Sequence, residues 1–189
     1  AELRDELLFR QPEGSYLGDC PICCLPLPLD TNKYVKYFCC SKVVCNGCTY
    51  ANTNRQMVER SALECPFCRQ LYAKSEEEDH RQKKKRCEAN DPFALREAGS
   101  THFFDGNYLR SFEFFTKAAD LGDMEAHCLL SFIYREGRGV EKDGGKEAYH
   151  EEEAAIGGDP IARCSLGCKE GENGRYDRAV KHWIIAAKL

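Results

Sequence analysis

Hydrophobic residues recur at helical spacing through the second half of the chain. One stripe follows an i, i+3, i+4, i+7 pattern and consists of Ala126, Leu129, Leu130 and Ile133. A longer stripe of the same kind lies near the C-terminus and consists of Tyr176, Ala179, Val180, Trp183, Ile184 and Ala187. This periodicity predicts amphipathic helices that bury one face against neighbouring helices.

These predicted helices belong to a sequence repeat. The stretch "AADLGDMEAHCLLSFIY" (118–134) is echoed by "AAIGGDPIARCSLGC" (154–168), so the Ala-Ala…Gly-Asp landmark begins at Ala118 and again 36 residues later. Ala94 precedes Ala126 by 32 residues in the same way. A period in the thirties with two helices per unit is typical of a helical solenoid. The glycine-rich stretch "REGRGVEKDGGKEA" lengthens the second repeat and predicts a loop between its helices.

The second repeat, "YREGRGVEKDGGKEAYHEEEAAIGGDPIA" (134–162), resembles the SEL-like repeat, a relative of the tetratricopeptide repeat. The resemblance covers residues 91–189, and "FFDGNYLRSFE" in the first repeat departs from the pattern because it lacks the long loop. The resemblance implies close packing of helices through small alanines. It also implies that a protein substrate or scaffold partner binds the concave face of the array.

The first half of the chain is organised differently. Residues 1–14 predict a short helix that ends near Pro12, and residues 15–74 form a cysteine-rich segment. Residues 75–90, "SEEEDHRQKKKRCEAN", place acids before bases and predict an exposed, charged linker helix. Its "KKKR" run is read as a solvated helix face, with a nuclear import signal as the alternative, so the expected location is intracellular, either cytoplasmic or nuclear.

Composition narrows the function classes. The net charge of −4 argues against nucleic acid as a partner, and no apolar run is long enough to cross a membrane. Thirteen cysteines are present, and nine of them lie between residues 20 and 68. An odd count in close-set pairs favours metal ligands over an extracellular disulfide framework, which is the alternative. No catalytic triad, phosphate-binding glycine loop or paired-carboxylate motif is present, so no catalytic residue is assigned.

The cysteine-rich segment offers eight thiolates in four pairs, which are Cys20 and Cys23, Cys39 and Cys40, Cys45 and Cys48, and Cys65 and Cys68. Eight thiolates suffice for two tetrahedral zinc sites, so two Zn²⁺ ions are the expected cofactors. Such a short segment buries little apolar surface, and metal binding must therefore supply part of its folding free energy. From spacing alone the pairs can be joined sequentially or in an interleaved manner.

"CPIC" (20–23), "CNGC" (45–48) and "CPFCRQ" (65–70) resemble an all-cysteine variant of the RING-type zinc finger. The resemblance implies interleaved ligation, with the first and third pairs on one zinc and the second and fourth pairs on the other. The expected fold class is therefore a small α+β, zinc-bound RING-like module followed by an all-α helical-repeat solenoid.

The doublet Cys39–Cys40 stands where most RING fingers have Cys-x-His, and Lys42 falls at the histidine position. A protonated lysine has no lone pair for a metal. One alternative is an open zinc site with three protein ligands. We favour ligation by both doublet cysteines, in a segment that resembles Cys-Gly-x-x-x-Cys with Ser41 in the glycine place. Adjacent ligands require a bend in the chain; the main rival makes Cys24 or a water the fourth ligand.

The RING resemblance also implies a ubiquitin-protein ligase that docks a ubiquitin-conjugating enzyme. Ile22, Pro66 and Arg69 match the family's docking positions, whereas Asn52 stands where an aromatic residue is often found. The alternative is a non-enzymatic, zinc-stabilised scaffold for protein–protein interaction.

The cysteines outside the four pairs, the histidines and the apolar residues of the last helix are expected to have structural rather than chemical roles. Four further cysteines, Cys87, Cys128, Cys164 and Cys168, are expected to pack as small hydrophobic residues. The five histidines show no clustering in the sequence. The last helix carries too many apolar residues for one buried stripe, which predicts further repeats or a partner beyond it. Ile185 or Leu189 is therefore expected to be markedly exposed.

Overall fold

A computed structural model describes residues 2–189, with side chains from Arg4 onward. The chain divides into two compact units. The repeat unit contains the residues up to Tyr16 together with Leu95–Leu189, and the cysteine unit is Leu17–Ala94. Within the described residues, no helix is both long enough and apolar enough to cross a lipid bilayer.

The cysteine unit is built around one small hairpin. Strands β1 (Tyr34–Tyr37) and β2 (Lys42–Cys45) pair antiparallel, with Tyr34 opposite Cys45 and Tyr37 opposite Lys42. A 3-10 turn (Thr31–Lys33) precedes β1, and helix α2 (Asn46–Val58) follows β2 directly. The small core consists of Cys20, Leu27, Tyr34, Tyr37, Val44 and Cys65. Two potential metal ligands therefore belong to the core itself.

The charged segment forms helix α3 (Glu76–Glu88), which Ser75 caps by accepting a hydrogen bond from the Glu78 amide. Its acidic first turn and basic last turn complement the helix dipole, as the sequence predicts. No residue of α3 is fully buried, yet Lys83 lies over the Phe38 ring at 4.5 Å. This helix is therefore part of the cysteine unit.

The repeat region consists of three pairs of helices. Their bounds are α4 (Pro92–Phe104), α5 (Tyr108–Asp120), α6 (Met124–Glu136), α7 (Gly144–Ile156), α8 (Pro160–Glu172) and α9 (Tyr176–Ala186). The long loop of the second repeat lies between α6 and α7, as predicted. The α6 stripe is also confirmed: Ala126, Leu130 and Ile133 are buried, and Leu129 is half-buried.

The Ala-Ala…Gly-Asp landmark has a clear structural role at each boundary between repeats. The alanine pairs that end α5 and α7 are buried in the core. Gly122 and Gly158 follow with φ of +86° and +91°, a conformation that favours glycine. Asp123 and Asp159 then cap α6 and α8 by accepting hydrogen bonds from backbone amides of the first turn.

Two predictions about the ends of the repeat unit need correction. The first helix, α1 (Glu2–Leu8), ends at Leu8 rather than near Pro12. On α9 the buried stripe is Ala179, His182 and Ile185, so the predicted stripe is wrong except for Ala179. Ile185 is only 6% exposed and Leu189 is half-buried, whereas Trp183 and Ile184 face solvent in part. The stripe was misassigned because a buried histidine interrupts the apolar pattern.

Candidate metal centres

The first and last cysteine pairs lie in two tight loops with the same hydrogen bonds. In the first loop, the Cys20 amide donates to the Leu25 carbonyl (2.8 Å), and the Cys24 amide donates to the Cys20 carbonyl (2.9 Å). In the last loop, Cys65 bonds to Gln70 and Arg69 to Cys65 in the same way, at 2.8 and 3.0 Å. Each loop closes with a residue at positive φ, Cys24 (56°) or Arg69 (59°). Both loops thus turn their two thiols towards a common side.

The doublet occupies the turn between β1 and β2. The amides of Cys40 and Ser41 both donate to the Tyr37 carbonyl, at 3.4 and 2.7 Å. Ser41 has a φ of +55° and stands where the RING resemblance expects glycine. This turn supplies the bend that two adjacent ligands of one metal require.

The third pair lies at the start of α2, where Cys45 is the N-cap residue. Its thiol accepts a hydrogen bond from the Cys48 amide at 3.5 Å. The positive end of a helix stabilises a thiolate, which is the form that binds metal. The sequence "CNGC" therefore both begins the helix and brings two thiols to its first turn.

The eight thiols gather into two groups whose sulphur atoms all lie within 4.8 Å of one another. The first tetrad is Cys20, Cys23, Cys45 and Cys48, and the second tetrad is Cys39, Cys40, Cys65 and Cys68. The grouping is interleaved along the chain. Both groups are positioned to bind a metal ion.

The separations of the sulphur atoms suit a tetrahedral site. The distances are 3.8 Å from Cys23 to Cys45 and 3.8 Å from Cys40 to Cys65. A tetrahedron of sulphur atoms with zinc–sulphur bonds of about 2.3 Å has edges of ~3.8 Å. Cys39 and Cys68 lie slightly closer, at 3.4 Å. All cysteines in the described part of the chain are free thiols, so the extracellular disulfide framework is not what this structure forms.

Individual thiols differ in acidity, and each tetrad contains thiols with a raised pKa and a thiol with a lowered pKa. Burial opposes ionisation of Cys20, but hydrogen bonds from the amides of Cys23, Cys45 and Ile22 lower its pKa to about 6. Burial raises the pKa of Cys40 to about 11, and the nearby charge of Cys65 adds to this rise. Repulsion among close thiolates is the interaction that a divalent cation reverses.

The alternative interpretations of the doublet depend on Cys24 and Lys42. The thiol of Cys24 belongs to neither tetrad, and its backbone closes the first loop. The ammonium group of Lys42 lies over the Phe67 ring at 5.5 Å. Both doublet cysteines lie in the second tetrad, so four thiols are available without Cys24 or Lys42.

A polar network supports the turn that carries the doublet. The Ser41 hydroxyl donates to the Asp91 carboxylate at 2.7 Å and accepts from the Arg86 guanidinium at 3.0 Å. Arg86 also bonds directly to Asp91, which in turn accepts from the Ala94 amide at 3.0 Å. The end of α3 is thereby connected to a residue next to two potential ligands. Sequence analysis missed this network, because residues 41 and 91 are 50 positions apart.

A second support, also missed, holds α2 against the last loop. The Gln56 side chain is 1% exposed and accepts a hydrogen bond from the Glu64 amide at 3.3 Å. The Asn52 amide group donates to the Glu64 carbonyl at 3.2 Å. Asn52 therefore binds backbone at the place where an aromatic docking residue was expected.

The three predicted docking residues are all at least partly accessible. Ile22 is 43% exposed, Pro66 is half-buried and Arg69 is exposed. Each lies on one of the two tight loops, beside a cysteine of a tetrad. Leu25 and Phe67, on the same loops, are 64% and 45% exposed.

Cysteines and histidines outside the tetrads only partly match expectation. Cys87 and Cys128 are half-buried, but Cys164 and Cys168 are exposed on α8, so the expectation that these two are packed is wrong. Two histidines do meet in the repeat unit: the Nδ1 atoms of His127 and His150 lie 3.0 Å apart. Burial and the adjacent His127 lower the pKa of His150 to about 4.

Comparisons with known proteins show that the repeat region is similar to solved structures of Sel1 repeat proteins. A Sel1 repeat protein from Oxalobacter formigenes is similar with a TM-score of 0.52 and 25% identity, covering 58% of this chain and 89% of that one. A protective antigen of uropathogenic Escherichia coli with an SLR fold is 28% identical, with a TM-score of 0.49, covering 57% of this chain and 25% of the antigen. No family model and no curated protein sequence matches the chain.

The likeness to the Oxalobacter protein supports a Sel1-type helical repeat fold. Neither structural relative bears on the tetrads, whose assignment rests on the positions of their sulphur atoms.

Proposed function

We propose that the chain is a RING-type ubiquitin-protein ligase that binds two Zn²⁺ ions and recruits a protein substrate through its helical repeats. The interleaved arrangement of the two tetrads carries this proposal. Interleaving is the cross-brace of the RING family, and a chain with two independent zinc knuckles has no need of it. The tetrads would hold zinc through eight thiolates, and the ions would stabilise the two loops that carry Ile22 and Pro66.

The proposed activity depends on positioning rather than on covalent chemistry by this chain. A RING ligase holds a conjugating enzyme charged with ubiquitin in a reactive geometry. Ile22 and Pro66 would contact the conjugating enzyme. Arg69 would bridge the conjugating enzyme and ubiquitin with its fixed fork of donors. Its position at the close of the last loop, with positive φ and an exposed side chain, suits such a bridge.

The repeats would supply specificity. Helical arrays of this kind present extended surfaces for other proteins, and the likeness to a Sel1 repeat protein supports a partner-binding role. A ligase assembled in this way links a bound protein and the charged conjugating enzyme through one chain.

Autoubiquitination of the purified full chain with a broad panel of conjugating enzymes tests the proposal. We expect activity that disappears in Ile22→Ala and falls at least tenfold in Arg69→Ala. Leu29→Ala is the matched control, because Leu29 is similarly exposed (45%) but lies outside the cysteine loops. Absence of activity with every conjugating enzyme, from protein carrying two zinc ions, would contradict ligase function.

A second candidate is a non-enzymatic, zinc-stabilised scaffold, and one observation favours it. Asn52 is engaged with the Glu64 carbonyl and offers no aromatic surface to a conjugating enzyme. The two candidates differ in the panel assay, whereas both require two bound zinc ions and a partner on the repeats.

A further inference from the structure

Helix α1 lies on the repeat unit as a short bound peptide would. It has seven residues, fewer than an isolated helix needs to be stable in water. Its helical form therefore depends on the surface beneath it, which is provided by α7, α8 and α9. We call this surface the α1 seat.

One side chain anchors α1 to the seat. Leu8 is 3% exposed and packs in a cluster with Ala154, Ala155, Ala162 and Leu166. Small alanines leave room there for a single leucine. The preceding residue, Leu7, is 44% exposed, so the seat distinguishes between two adjacent leucines.

Charged residues fix the direction of α1. Arg4 pairs with Glu152 at 2.8 Å and with Glu153 at 2.6 Å, both on α7. Asp5 accepts two hydrogen bonds from Arg178 on α9, at 2.6 and 3.1 Å. A base and an acid in adjacent positions of the peptide thus meet opposite charges on two different helices.

Phe9, the residue after Leu8, also contacts the α1 seat. The Phe9 ring lies 4.7 Å from the ring of His182, and the guanidinium of Arg178 lies over it at 4.6 Å. The chain then continues past Gly158, where a side chain would be 2.7 Å from the Gly14 carbonyl oxygen. The Tyr16 amide donates to the Gly158 carbonyl at 3.3 Å.

The floor of the seat contains polar atoms that α1 does not fully satisfy. Arg163 is 0% exposed, and one of its terminal nitrogens donates to the Leu8 carbonyl at the end of α1. Its Nε and other terminal nitrogen, and both ring nitrogens of His182, have no hydrogen-bond partner in the described part of the chain. Burying such groups is unfavourable. If α1 left the seat, these nitrogens could form hydrogen bonds with water. This gain offsets part of the cost of releasing α1, so the seat is suited to exchanging its occupant.

We propose that the α1 seat is a receptor for short helical segments of other proteins with the pattern Arg-Asp-x-x-Leu-Phe, and that α1 occupies it in cis. The inference rests on the proposed role of the repeats in binding proteins and names the chemistry of that partner. It is independent of zinc binding and of ligase activity.

A fluorescent peptide of residues 2–11 is the probe, titrated against full-length chains and followed by fluorescence anisotropy. In the unmodified chain, the tethered α1 competes at an effective concentration of roughly millimolar and weakens peptide binding. A chain with Asp5→Lys and Leu8→Ala loses the ion pair and the anchor of its own α1. We expect it to bind the peptide at least tenfold more tightly than the unmodified chain does.

The matched control carries Glu6→Lys and Leu7→Ala, the same chemical changes at neighbouring exposed positions, and should behave as the unmodified chain. A charge exchange tests the register: a chain with Leu8→Ala and Arg178→Glu should prefer a peptide carrying Asp5→Lys over the unmodified peptide. Equal peptide affinities of released and unmodified chains would overturn the proposal. So would loss of the fluorescence of folded Trp183 in the released chain, because α1 would then be an integral part of the repeat fold. The zinc content of the same chains tests the metal centres separately.

Discussion

The role of the cysteine doublet can be tested with two substitutions that look similar in the sequence. Cys24 and Cys40 are both the second residue of a Cys-Cys doublet, yet only Cys40 lies in a tetrad. We expect Cys40→Ser to reduce bound zinc from two ions per chain to one. Cys24→Gly should leave two ions in place, because its thiol is not a ligand and its backbone already has the φ of +56° that glycine favours.

The magnitudes of the two effects are far apart. A structural zinc ion contributes about 10–16 kcal/mol of apparent binding free energy, comparable to the whole stability of a small domain. Losing one ion from a unit with a six-residue core should therefore destabilise the cysteine unit severely, and the ion in the first tetrad becomes its main source of folding free energy. Cys24→Gly relieves ~1–2 kcal/mol of left-handed strain but adds chain entropy to the unfolded state, for a net gain of about 0.5 kcal/mol.

Elemental analysis of zinc per chain and thermal unfolding of the same samples provide the assay. For a unit of this size, a gain of about 0.5 kcal/mol corresponds to a rise in Tm of roughly 2–4 °C. One zinc ion in Cys24→Gly, or two in Cys40→Ser, would refute the assignment of the second tetrad. Fluorescence of Trp183, the single tryptophan of the chain, reports the repeat unit and shows whether it stays folded.

Two further predictions concern the repeat unit. Gly99→Ala should destabilise it by about 1–3 kcal/mol, because a Cβ there would lie 2.6 Å from the buried ring of Phe115. Gly171→Ala, with 3.9 Å of clearance, should be neutral or stabilising; equal effects in denaturant titrations would contradict the packing argument. Burial and the charge of Arg163 lower the pKa of His182 from 6.5 to about 4. Unfolding therefore takes up a proton between these two values, and the free energy of unfolding decreases as the pH drops below 6.5. His182 should account for a loss of about 1.5 kcal/mol between pH 6.5 and 5; His182→Phe should remove that part of the slope in denaturant titrations and leave the part due to His150, whereas His80→Gln should leave the slope unchanged.

The grouping of eight thiols into two candidate metal sites was largely predictable because the chemistry of each cysteine pair is local. A two-residue gap between cysteines suffices for a tight loop, and three such pairs with one doublet leave two ways, sequential or interleaved, to build two tetrahedral sites. The supports around them were not predictable. Ser41 and Asp91, and likewise Gln56 and Glu64, meet only after the chain has folded, and each residue type is ordinary on a protein surface.

The repeats show the same division between local and long-range information. The stripe on α6 was predicted correctly because Ala126, Leu130 and Ile133 are apolar, although the pattern did not show that His127 and Ser131 beside them are also buried. On α9 the buried stripe passes through His182, while Trp183 and Ile184 are only partly covered. A prediction based on the spacing of hydrophobic residues does not count a histidine as buried. The predicted buried face of α9 therefore included Trp183 and Ile184 and omitted Ile185.

The surface on which the N-terminal helix packs was not predicted, because it contains Arg163 and His182, residue types that are seldom fully buried. From the sequence, residues 1–14 appeared to be a short helix with no assigned surface. In the structure, Leu8 closes an apolar cluster, and its carbonyl accepts from an arginine that comes 155 positions later. An arginine at a helix C-terminus is favourable because it meets carbonyls that lack partners within the helix. The sequence places Arg163 within a helix that otherwise resembles its neighbours. Its role becomes visible only when the end of another helix is placed against it.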